Sequence, residues 1–115
     1  PMWLTRQHSE CGALLSIHAC DDQQAVASSV AAYQPNNLKL HDMLGNVSEW
    51  TCSEYSNTYN GAEKRCSSQQ PTEGNRTVRG GSWDDEPRLV RVADRNGRSP
   101  DSRDYGLGFR LVRED

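Results

Sequence analysis

Residues 41–50 read HDMLGNVSEW, which puts two carboxylates, Asp42 and Glu49, seven positions apart around a Gly-Asn turn. Two readings compete. In extended backbone the carbonyls of residues i and i+2 point the same way, so those of Gly45 and Val47 converge on one spot. Gly45 lets the chain turn and approach an ion closely, and Asp42 and Glu49 add carboxylate oxygens from either flank. An all-oxygen set with two negative charges suits calcium better than zinc or copper. In the plainer reading Asp42 caps the turn at 44–46 and Glu49 is solvated.

Working outward, residues 47–52 read as a strand with Trp50 facing inward, and 38–43 as a short strand or extended loop. Gln34-Pro35-Asn36-Asn37 is a turn. Residues 25–33 (AVASSVAAY) are a short helix or a strand, small residues making the period ambiguous, and residues 1–24 form an irregular lead-in. The stretch 53–75 is a long loop of Ser, Asn, Gly, Gln and Pro, a kind that usually carries function or lacks order. A brief strand at 77–79 runs into Gly80-Gly81. Apolar runs at 89–93 and 109–112 flank NGRSPDSRDYG (96–106), which is dense in turn formers. There is no internal repeat and no long helix.

The chain of 115 residues is one domain at most, and its apolar fraction is 34%, with a single Phe. A chain of this length should hide roughly two-thirds of its unfolded surface, and here there is little apolar surface to hide. Cross-links, an ion or a partner surface must compensate. Net charge is −3, and 13 basic residues stand against 16 acidic ones. The Arg-rich tail carries its own Asp and Glu, so no basic face for nucleic acid is expected. No apolar run approaches the length of a membrane span. The chain begins at Pro1, with neither a signal peptide nor an initiator Met, and reads as a piece of something longer.

Cys11, Cys20, Cys52 and Cys66 form no C-x-x-C pair, and His8, His18 and His41 are scattered, so a zinc site is not expected. Three pairings of four cysteines are possible. Sequence neighbours favour Cys11–Cys20 and Cys52–Cys66, each bracketing a polar loop, which implies an oxidising, hence periplasmic or extracellular, compartment. Four reduced thiols in a cytosolic protein is the alternative. Two sequons occur, at Asn46 and Asn75. A glycan on Asn46 would sit awkwardly inside the turn.

Three segments, NLKLHDMLGNVSEW (37–50), TVRGGSW (77–83) and VADRNGRSPDSRDYGLGFRLV (92–112), occur in this order. Together they resemble the formylglycine-generating-enzyme (sulfatase-modifying factor) domain, with its D-M-x-G-N-V-W-E-W, R-V-x-R-G-G-S-W and G-F-R motifs. The resemblance covers residues 25–113, the C-terminal half of the usual domain. It implies an α+β fold like a C-type lectin, with short strands and long ordered loops. It also implies a structural calcium ion held by Asp42, Gly45, Val47 and Glu49. Ser48 replaces the usual Trp of the motif, and Lys39 stands where Gly is common.

In the catalytic branch of that family a copper-binding cysteine pair follows R-G-G-S. Residues 82–115 contain no cysteine, and Asp84 or Asp85 cannot replace the thiolates that hold Cu(I). Copper is therefore not expected. An iron-using branch draws its histidines largely from a separate helical domain. The tail holds Trp, Tyr, Arg and Asp in a mixture suited to recognition. Asp84, Asp85, Arg98, Asp101 and Tyr105 are the candidates for ligand binding. Arg91, Arg95 and Arg110 are assigned instead to internal ion pairs that hold loops, and Trp83 to the core.

The expected function is a calcium-stabilised binding or accessory protein without copper chemistry. Its partner would be another protein or the N-terminal half of the same domain. Two alternatives stand beside it. One is an oxidoreductase or maturation enzyme completed by a missing N-terminal half. The other is a diversified lectin-like binder with its variable face in residues 83–105.

Overall fold

The computed structural model describes residues 24–67 and 74–113. The lead-in, except Gln24, lies outside them, as do Cys11, Cys20 and their proposed pairing.

Strand β1 (Ser48–Glu54) pairs antiparallel with β2 (Arg76–Arg79) and parallel with β4 (Leu107–Gly108), while β3 (Asn96–Arg98) pairs antiparallel with β2. The spatial order is β3-β2-β1-β4. A 3-10 turn (Ala62–Lys64) punctuates the loop after β1. The expected picture of short strands and long ordered loops holds. The segment 25–33 is neither helix nor strand, and 38–43 stays irregular. β3 forms inside the stretch read as turns, because tertiary pairing overrides weak local propensity.

The β1–β2 ladder is irregular. Glu49 faces Arg79 and Trp50 faces Val78, but Glu54 faces Arg76, so β1 advances four positions while β2 advances two. Hydroxyls take over where the register shifts. Thr51 Oγ1 donates to the Thr77 carbonyl at 3.0 Å, and Thr77 Oγ1 donates to the Glu54 carbonyl at 3.0 Å. Side-chain oxygens thus satisfy carbonyls that a bulge would otherwise leave unpaired.

The core is as thin as the composition implies. Leu44 and Val78 are the buried hydrophobic residues among those described, and Ser53, Arg76, Thr77 and Ser82 are buried with them. Trp50 does not face a closed interior. It is half-buried on an open groove of about 660 Å³, with Arg76, Leu107 and Phe109. Trp83, expected in the core, is 39% exposed and packs on Tyr105 with ring centroids 5.8 Å apart.

Polar ties replace apolar bulk. The Cys52–Cys66 disulfide forms as the sequence suggested and pins the loop against β1, where the Ser67 N–H donates to the Cys52 carbonyl at 2.8 Å. A second clamp joins that loop to the segment before β3. The Arg95 guanidinium sits 3.9 Å from the centroid of the Tyr59 ring and donates to the Ser56 carbonyl, while the Tyr59 hydroxyl donates to the Ala93 carbonyl. Tyr55 lies so close over Gly97 that a Cβ there would meet its ring at 2.6 Å. Only glycine admits that contact.

Candidate functional site

The turn at 42–49 is built from left-handed backbone, with φ of 52° at Asp42, 83° at Gly45 and 65° at Asn46. Asp, Gly and Asn are the residues that tolerate this region at least cost. Asp42 Oδ2 accepts the Ala31 N–H at 2.9 Å. The Asn46 side chain is bonded at both ends, accepting the Ser28 N–H at 2.9 Å and donating to the Ser28 carbonyl at 3.3 Å. So bound and half-buried, Asn46 is a poor glycan acceptor in the folded chain.

Glu49 is not a solvated carboxylate. Arg110, 61 residues away, donates Nε to Oε2 and Nη2 to Oε1, both at 2.6 Å. The same Nη2 also reaches the carbonyls of His41 (3.0 Å) and Asp42 (3.3 Å). This two-pronged contact is the strongest form of the arginine–carboxylate pair. The Glu49 carboxylate, first by its hydrogen bond and then by its charge, holds the Arg110 guanidinium above its ordinary range, against the opposing effect of partial burial. Arg110 thereby does the structural work that its place in the sequence suggested.

By residue type, the oxygens at 42–49 are those that a hard cation would accept. A carboxylate has about four lone-pair sites, so Glu49 keeps two after the fork from Arg110. Asp42 Oδ1 meets no hydrogen-bond donor among the described residues. No group of three or more His, Cys, Asp or Glu occurs among those residues, so any ligation must draw on backbone carbonyls, of which Gly45 and Val47 offer two.

The turn also carries the neighbouring cleft. The Gly45 N–H donates to the Gly80 carbonyl (2.8 Å), the Trp83 N–H to the Asn46 carbonyl (2.9 Å) and the Ser48 N–H to the Gly106 carbonyl (2.8 Å). Gly80 and Gly81 take φ of 95° and 69°, and a Cβ on Gly81 would stand 3.0 Å from Val90 Cγ2. The R-G-G-S bend therefore needs glycine both for its backbone and for space.

Above that bend lies a cleft of about 310 Å³ that brings together Asp84, Asp85, Arg98 and Tyr105, four of the five residues singled out for ligand binding. Asp101 is not on its wall. It accepts the Ser99 hydroxyl, which, with its own backbone N–H, holds its carboxyl below the usual range. Arg79 lines the cleft as well, although it lies in β2 and nothing in the tail pointed to it. Its place opposite Glu49 in the sheet turns it to that face.

The charges in the cleft are unequally satisfied. Asp94 pairs with Arg91 at 2.8 Å, and Asp104 with Arg98 at 3.7 Å. Buried Ser82 donates its hydroxyl to Asp84 at 2.5 Å and its N–H to Asp85 at 2.7 Å. Neither Asp84 nor Asp85 has a cationic partner among the described residues. Arg79 donates to the Val92 carbonyl at 2.7 Å, and Arg103 to the carbonyls of Ser102 and Pro100.

Comparison with known proteins agrees with this architecture. The sulfatase-modifying factor enzyme 1-like domain matches residues 5–115. The chain is 38% identical over 91 residues to the mouse protein named inactive C-alpha-formylglycine-generating enzyme 2, covering 74% of this chain and 25% of that one. It is 32% identical over 102 residues to the formylglycine-generating enzyme of Streptomyces coelicolor, covering 85% and 32%. The structure of Treponema denticola variable protein 1 superposes with a TM-score of 0.60 at 28% identity, over 76% of this chain and 32% of that one. This chain thus spans between a quarter and a third of the length of these relatives. Family match, ordered motifs and loop-rich sheet agree: the chain belongs to the sulfatase-modifying factor enzyme 1-like family, with its C-type-lectin-like fold.

Proposed function

We propose that the chain is a binding or accessory member of this family rather than a copper-dependent oxidase. One observation carries the reading. Where the catalytic branch is expected to have its cysteine pair, this chain reads Trp83-Asp84-Asp85, the two carboxylates lining the cleft, and residues 82–115 contain no cysteine. Carboxylates are poor ligands for Cu(I). The relatedness to a mouse protein named inactive supports the same reading. Incubation with a thiol peptide, copper and oxygen is expected to give no oxygen consumption above a protein-free control, and sustained turnover would overturn the proposal.

Calcium is part of the proposal, held by Asp42, Glu49 and the carbonyls of Gly45 and Val47, where it would brace the turn that carries the cleft. Saturating calcium should raise the melting temperature over that in chelator. A ligand at a hundred times its Kd stabilises by about 2.7 kcal/mol. In Asp42→Ala the two melting curves should coincide, and identical curves for the unaltered chain would remove calcium from the reading.

Export is proposed on the Cys52–Cys66 disulfide. Among the described residues, no helix is long and apolar enough to cross a membrane. Phe109, which lines the Trp50 groove, and Leu111 and Val112, which follow it in the chain, are 72–88% exposed. Apolar exposure on this scale marks an interaction face. The proposed occupant is a protein partner or the N-terminal part of the same domain.

A further inference from the structure

We propose that Asn60 is a site of self-catalysed deamidation, in which the Gly61 backbone nitrogen closes on the Asn60 side chain and expels its amide nitrogen as ammonia. Two Asn-Gly steps occur in the chain, Asn60-Gly61 and Asn96-Gly97. By residue type they are equivalent, since glycine leaves the attacking nitrogen unshielded in both. Their surroundings differ. Asn60 is exposed in the irregular stretch between β1 and the 3-10 turn, outside the sheet, and the space beside Gly61 is open.

The hydrogen bonds around Asn60 supply the groups that the reaction needs. The Gly61 N–H donates to Glu63 Oε2 at 2.8 Å, the reach of a general base on the proton it removes. Its own backbone N–H, above all, keeps the Glu63 carboxyl below its usual range, so it is ionised at neutral pH. The Ala62 N–H donates to Asn60 Oδ1 at 3.0 Å, the oxygen on which negative charge grows when the amide carbon is attacked. Asn60 Nδ2, the departing nitrogen, lies 3.4 Å from the Ser56 hydroxyl. The step balances without an oxidant. Glu63 takes the Gly61 amide proton as that nitrogen bonds to Asn60 Cγ, the Cγ–Nδ2 bond breaks, and the proton leaves with Nδ2 as ammonia. Water then opens the cyclic imide at either carbonyl, giving aspartate or isoaspartate at position 60.

Asn96 has the same neighbour without the same freedom. It lies in β3, where Asn96 pairs with Val78 and Gly97 with Thr77. The Tyr55 ring covers Gly97 so closely that a Cβ would meet it at 2.6 Å. The Gly97 N–H points at Asn96 Oδ1, 2.8 Å away, so its partner is the amide oxygen itself and not a base. Closing the imide turns the peptide plane after the asparagine, which in β3 requires Gly97 to leave the sheet first. At position 60 the change falls beside a tie: Tyr59 holds Arg95 under its ring and donates to the Ala93 carbonyl. Isoaspartate lengthens the backbone next to that clamp and loosens it.

The test is peptide mapping by mass spectrometry of the native chain after ageing in neutral buffer. The peptide carrying Asn60 should gain the mass of an amide-to-acid exchange, divided between aspartate and isoaspartate, about tenfold faster than the peptide carrying Asn96. Reduction and unfolding in urea should bring the two rates together. Equal native rates, or a faster change at position 96, would overturn the assignment, and this comparison within the unaltered chain needs no variant. Glu63→Gln keeps an oxygen acceptor for the Gly61 N–H while removing the base. It should slow position 60 about tenfold with position 96 unchanged, the latter serving as the internal measure that the sheet is intact. A position 60 rate unmoved by Glu63→Gln would overturn self-catalysis.

Discussion

Replacing Arg110 by Met should destabilise the fold by about 2–3 kcal/mol, a fall of about 10 °C in melting temperature for a chain this size. The loss is large because the guanidinium is shared by two oxygens of Glu49 and two carbonyls of the 41–42 backbone. Its removal leaves Glu49, whose side chain is only 22% exposed, with an uncompensated charge and no replacement donor. The value lies below the 3–5 kcal/mol of a fully buried pair because water still reaches part of it. Arg110→Lys should recover only part of the loss, since an ammonium cannot fork across both oxygens. The double variant Glu49→Gln with Arg110→Met should cost less than the two single losses combined, since each single change strands the other partner. A cost under about 0.5 kcal/mol for Arg110→Met would place the pair among ordinary surface ion pairs and contradict its structural role.

The second large effect is the disulfide. Cys52→Ser with Cys66→Ser should cost about 3 kcal/mol in chemical denaturation, the loop-closure value for a ring of about this length. The cysteines are 14 positions apart and both are exposed, so little packing is lost with the bond, and the effect falls mainly on the unfolded chain. The Arg95–Tyr59 clamp still holds the far side of the loop. The variant should therefore keep its sheet and gain protease sensitivity between residues 57 and 67. Unchanged proteolysis together with unchanged stability would show that the clamp alone orders the loop.

Both predictions concern ties between distant segments, and there sequence and structure part company. The strands β1 and β2, the glycine bend and the thin core were legible locally. Alternation, a Gly-Gly pair and a shortage of apolar residues each act through their immediate neighbours. β3 was not legible, because Asn96, Gly97 and Arg98 carry no strand preference of their own. They pair because β2 offers an open edge and Tyr55 needs the missing Cβ of Gly97. Trp83 was misplaced for a related reason. A Trp in a chain poor in core residues reads as buried, yet the loop holding it is fixed by the backbone of Asn46 and the carboxylates around Ser82, and its ring stays partly exposed against Tyr105.

The candidate site divides in the same way. Sequence alone determined the oxygen-rich turn, the absence of cysteine after R-G-G-S and the charged, aromatic tail, since these are properties of residue type and spacing. Tertiary structure alone decided that Arg110 seizes Glu49, that Asp101 stands apart and that Arg79 joins Asp84 and Asp85 around one cleft. Each of those outcomes is a choice of partner. In a chain with so small a core, partners are chosen by long-range hydrogen bonds and ion pairs, whose geometry no local pattern encodes.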